Sequence, residues 1–388
     1  MIKERFHSLD SLRGLASLQV VIAHCLMTIP ALNWMVYQHG IPKVHDLEFH
    51  FIYSPLHFFW NSTPAVKVFF VLSGFVLSLP YYSESKDPLY TKFFIKRIIR
   101  LYIPCLAIIL ISLILKSILF KPNYVSEYGD WVKMMWTKDY TFGELIKLFT
   151  LNLKSVTINP ALWTIAPEIK LSLILPLFIL FQRKLNLLWS VLSTLLILAM
   201  VTILNKIGLR SIWSDFNIFY YLIFFLAGSI LCKYRNHVVD WINRLNGIQY
   251  TLFVIITLYI YSYSYSLWWL TVPAKVLLLA ERFADYISGI ASIFLIIIAL
   301  SQPAKKLLNA KFLIFLGKIS FSIYLIHSVL IVVLIYLLKA YLSPYVIAVI
   351  SFIASFPVAM LFYYCVEVPS LNWANQFSAY VVKRFNLT

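Results

Sequence analysis

The sequence predicts an all-α fold, a single-domain bundle of about ten membrane-spanning helices. Three observations carry this. The 388 residues are 61% hydrophobic and 17% aromatic with only 13% charged, too apolar for a soluble domain of this length. Apolar stretches long enough to cross a hydrocarbon core, about 20 residues each, recur from one end of the chain to the other. The few charges inside those stretches stand at helical spacings. An unpaired one at mid-membrane would cost roughly 2.5–3.5 kcal/mol on insertion scales.

The first span is placed at 9–29 and opens with LDSLRGLASLQVVIAHC, residues 9–25. It follows a basic leader but lacks a small-residue cleavage site, so it reads as a retained span and not a signal peptide. His24 follows Arg13 by eleven positions. At 100° per residue that returns both to one helix face about 16 Å apart. The bland alternatives are an anchor paired with Asp10 for Arg13 and a local cap for His24. The connection over 30–63 packs His39, His45, His50 and His57 among aromatic residues. Their spacings match no zinc ligand pattern, and an interfacial aromatic loop is the better reading.

The second span, 64–80, carries FFVLSGF, where Ser73 and Gly74 suggest a close helix approach. KFFIKRIIRLYIP opens the third, 98–119, with Arg97 and Arg100 one turn apart, able to clamp a phosphate. After a long connection over 120–161, PALWTIAPEIKLSLILP begins the fourth span, 162–181. It puts Glu168 just inside the outer boundary, where a carboxylate needs a partner on another span. The spans at 187–205, 216–232, 248–270 and 285–301 follow by hydropathy alone. In the ninth, 319–338, GKISFSIYLIH sets Ser320, Tyr324 and His327 on one face by steps of four and three. Helix–helix glue is the competing reading there. The tenth, 343–365, ends at VEVP with Glu367.

The formal charge of +17 divides along the membrane. With the amino terminus inside, eighteen Lys and Arg fall on the inner side and twelve on the outer, favouring both termini in the cytoplasm. Anionic lipid accounts for such a balance better than nucleic acid does. The four cysteines lie in or beside apolar segments without paired spacing, which points to packing and not to disulfides or metal. No segment is polar and long enough for a separate soluble domain, and no fixed-period repeat is present.

Taken in order, SLDSLRGLASLQVVIAH, FFVLSGF, KRIIRLYIP, LWTIAPE, GKISFSIYLIH and VEVP make the chain resemble the acyltransferase 3 family of integral membrane O-acyltransferases over nearly its whole length. Phe321 stands where the ninth-span motif usually has Tyr, and Val368 where the closing motif often has Arg. The resemblance implies a bacterial cytoplasmic (inner) membrane and transfer of an acyl group, usually acetyl, from cytosolic acetyl-CoA or another acyl-CoA. The acceptor would be a hydroxyl of a cell-surface or lipid-linked carbohydrate, with glycan-assembly proteins as possible partners and no metal. Some relatives carry an added hydrolase-like domain; this chain is expected to complete the transfer itself.

On that reading Arg13, Arg97 and Arg100 would hold the donor, and His24 would act as general base or as a covalent acyl carrier. Tyr324, Ser320 or His327 would donate to the oxyanion, and Glu168 would orient the sugar or His24. The rival is a transporter or flippase for an anionic glycan or lipid-linked sugar, which would also need buried charge. Only ten glycines and no evident inverted halves count against it.

Overall fold

The computed structural model describes residues 6–30, 32, 53–83, 88–137, 139–151, 157–206, 217–263, 267 and 273–386. Among these all regular secondary structure is helical, with no strands. The long helices are α1 (His7–Leu26), α2 (Ser62–Ser83), α3 (Tyr90–Leu119), and, after two short turns of helix α4 (Asp130–Lys133) and α5 (Phe142–Phe149), α6 (Leu162–Arg183) and α7 (Leu187–Lys206). There follow α8 (Asn217–Lys233), α9 (Arg235–Arg244), α10 (Gly247–Tyr261), α11 (Ala274–Leu300), α12 (Gln302–Leu308), α13 (Lys311–Leu338), α14 (Pro344–Phe362) and α15 (Val368–Arg384).

Among the described residues seven helices are long and apolar enough to span a membrane, or eight if the pair bent by 73° between α8 and α9 is one span. The expectation was ten. Helices stand at the two remaining positions, but with different character. α10 is a shorter apolar helix, and the rest of its expected span lies mostly outside the described residues. α1 is long enough but carries His7, Asp10, Arg13, Gln19 and His24. It sits inside the bundle against α2, α11, α13 and α14, and only His7 along its length is exposed. A helix with no lipid-facing stripe is not required to be apolar all round.

Two close crossings set the geometry. A Cβ on Gly14 would overlap the Leu316–Gly317 backbone, and one on Gly317 would overlap the Asp10 carbonyl. α1 and α13 therefore touch backbone to backbone, as small residues permit in membrane bundles. Likewise Gly74 of α2 abuts the Phe225 backbone of α8, and Gly228 of α8 abuts Val71. The close approach expected at FFVLSGF is real.

At the closing motif the tenth span does not end. The helix widens into a π turn at Tyr363–Glu367 and continues as α15, which packs along α3. Such π turns mark places where a side chain is re-aimed. Here the turn carries Glu367 inward, 7% exposed.

Candidate active site

Ser17 donates to the Ser320 carbonyl at 3.0 Å, and His24 Nδ1 lies 2.7 Å from His327 Nε2. Both contacts join residues 303 apart, so α1 and α13 run parallel and in register above the Gly14/Gly317 crossing. Regular spacing on two parallel helices brings the histidines together.

The two imidazoles lie nearly in one plane, 11° apart with centroids at 5.0 Å, so they meet edge to edge through the nitrogen contact. Trp131 covers a face of His24 at 4.7 Å and 23°. His327 is fully buried and directs Nδ1 at the Ile323 carbonyl, 3.1 Å away. Tyr324 neighbours His327, and its hydroxyl shares a hydrogen bond of 2.7 Å with Thr164. Asn159, fully buried, donates to the Leu325 carbonyl at 2.8 Å and accepts from the Ala161 N–H and the Ser328 hydroxyl.

Nearer the end where α1 begins lies a tier of charge. Arg97 donates from Nη2 to Glu168 at 2.8 Å and from Nε to Ser172 at 2.9 Å. Ser73 donates to the same Glu168 oxygen at 3.0 Å. Arg13 pairs with Asp10 at 3.3 Å, and Ser322 donates to Glu367 at 2.5 Å. Arg13 lies within electrostatic reach of Arg97, Arg100, Glu168 and Glu367, and Arg100 within reach of Arg97 and Glu367. Three guanidiniums thus face three carboxylates, counting Asp10. Arg100 is exposed and makes no ion pair among the described residues.

Several sequence expectations change. Glu168 does not sit at an outer mouth. The segment before α6 folds back into the bundle, so α6 starts beside Tyr324 and Leu325, halfway along α13, and Glu168 descends to Arg97. Arg97 is already held by Glu168 and Ser172, leaving Arg100 as the open cation of that pair. Ser320 is turned into the seam, its hydroxyl on the Gly317 carbonyl, two turns from His327. His327 has both ring nitrogens engaged, which leaves no proton to offer an oxyanion in this arrangement.

Arg13 and His24 do share a side of α1, but Ser17 and Val20 between them are buried. The polar stripe joining the tiers runs instead on α6, where Thr164, Glu168 and Ser172 stand at successive steps of four. That run spans about 12 Å of helix axis. The sequence LWTIAPEIKLS holds it as an i, i+4, i+8 pattern, but Thr and Ser are ordinary residues of a span and do not mark it. Asn159 and Trp131 carried no such signal. Of the four loop histidines, His57 is buried against Trp60, and His39, His45 and His50 lie outside the described residues.

A family model described as an acyltransferase domain matches residues 6–364, a range that holds the histidine tier and all of the charge tier except Glu367. The chain is a membrane-embedded acyltransferase. It belongs to the acyltransferase 3 family. No curated protein and no solved structure matches it.

Proposed function

We propose that the protein transfers an acyl group, acetyl first among the candidates, from an acyl-CoA to a hydroxyl of a cell-surface or lipid-linked carbohydrate. The observation that supports this best is an imidazole that, among the described residues, is engaged through one nitrogen only. His24 is tied by Nδ1 to His327, and its Nε2 stays available for a substrate. A neutral imidazole with a free lone pair can both take a proton and return it.

In this mechanism the acceptor hydroxyl gives its proton to His24 Nε2 as its oxygen attacks the thioester carbonyl. The tetrahedral oxyanion accepts a hydrogen bond from Tyr324, whose hydroxyl turns to it from Thr164, Thr164 itself donating to the Ala161 carbonyl. Collapse breaks the C–S bond, the leaving thiolate takes the proton back from His24, and the ester departs neutral. Arg100 and Arg13 attract the phosphates of the donor, with Arg97 fixed by Glu168 as the rigid wall of that tier. The donor is expected from the cytosolic side, with α1 beginning there.

Purified protein in liposomes supplied with labelled acetyl-CoA and a polysaccharide acceptor tests the reading. Wild type should give labelled ester, and His24→Gln should lose at least about 10²-fold in rate while folding normally. Normal turnover by His24→Gln would remove His24 from the chemistry. Glycan movement without acyl-CoA turnover would favour the transporter alternative.

A further inference from the structure

We infer that His327 is a positioning residue whose task is to fix the tautomer of His24, so that the lone pair for proton transfer sits on Nε2. The inference rests on the acyl-transfer reading above.

The reasoning begins at a carbonyl. Ile323 O has no proton to give, so the His327 Nδ1 contact at 3.1 Å requires the proton on Nδ1 of His327. In the neutral ring Nε2 then carries a lone pair and can only accept. The 2.7 Å contact to His24 Nδ1 is therefore donated by His24. With its own proton on Nδ1, neutral His24 has its lone pair on Nε2, the one ring nitrogen not committed to His327.

The near-coplanar rings suit an N–H···N bond, and Trp131 on the face keeps His24 from rotating out of it. His327 itself is fully buried, on the far side of His24 from any substrate that reaches Nε2. A neutral acceptor does here what a carboxylate does in serine hydrolases, without a second buried negative charge. During turnover the Nδ1 proton stays on His24, and only the Nε2 proton comes and goes.

Two substitutions separate this role from plain packing. The amide of Asn at 327 reaches about as far as Nδ1 and can still meet the Ile323 carbonyl, but not His24. Gln reaches about as far as Nε2 and can present Oε1 to the His24 N–H. For the purified protein with acetyl-CoA and acceptor, His327→Asn should lower kcat by about 10²–10⁴-fold with KM for both substrates little changed. His327→Gln should stay within about tenfold of wild type. Equal kcat for the two variants, both near wild type or both inactive while melting like wild type, would overturn the inference. A wild type that does not turn over acetyl-CoA would instead overturn the acyl-transfer reading.

Discussion

Trp131 shows how a single residue can matter without bearing a charge. It lies in the long connection between α3 and α6, is 3% exposed, and covers the imidazole of His24. Excluding water from a thioester is as necessary as attacking it. Trp131→Ala should therefore lower transfer and raise acceptor-independent thioester hydrolysis, read as thiol release with and without acceptor. A fall in both together would mean that Trp131 only supports the fold. Glu168 is the other residue with a sharp consequence. Its pair with Arg97 is nearly enclosed, with side-chain exposures of 17% and 11%. Removing one member of a buried pair strands the other at a cost of about 3–5 kcal/mol. Glu168→Gln should melt markedly lower in detergent, and adding Arg97→Gln should recover part of the loss. No recovery would show that the two are not coupled.

Among elements, the seam between α1 and α13 decides whether a site exists. Gly14 and Gly317 let the backbones touch, and the histidines meet about two to three turns beyond the crossing. Gly317→Val should push the helices apart, lowering the melting temperature and reducing turnover more than a comparable change at exposed Leu337 of α13. An intact melting curve with unchanged turnover would mean that the seam tolerates spreading. The connection 120–161 is fastened at both sides, by Lys339 to Glu127 at 2.7 Å and by Lys116 to Asp139 at 2.8 Å. Asn159 then ties its returning end to α13. Asn159→Ala leaves the Ala161 N–H and the Leu325 carbonyl without that partner, a penalty of about 1–3 kcal/mol for each group left unsatisfied.

For the whole molecule, the parallel run of α1 and α13 fixes which ends share a side. Starting from a Cys365→Ser background, since Cys365 is the exposed cysteine, His7→Cys and Lys311→Cys should be labelled by an impermeant maleimide from one side. Tyr341→Cys, beyond the end of α13, should be labelled from the other. If the charge distribution governs insertion, the first pair reports the cytoplasmic face. Labelling of His7→Cys and Lys311→Cys from opposite sides would contradict the parallel seam.

Composition and hydropathy alone determined that the chain is a helical membrane bundle, because no other fold satisfies backbone hydrogen bonds in lipid with so apolar a sequence. The local periods also showed which charges were out of place: Arg13, His24, Arg97, Glu168 and the Tyr324–His327 face all belong to the two tiers. Depth and partnership were beyond reach of the sequence. That α6 starts halfway through the bundle, that Glu168 meets Arg97, and that His24 meets His327 depend on where a connection folds back and on two glycines letting helices touch. Those are contacts between residues from 71 to 303 positions apart, which no local period encodes.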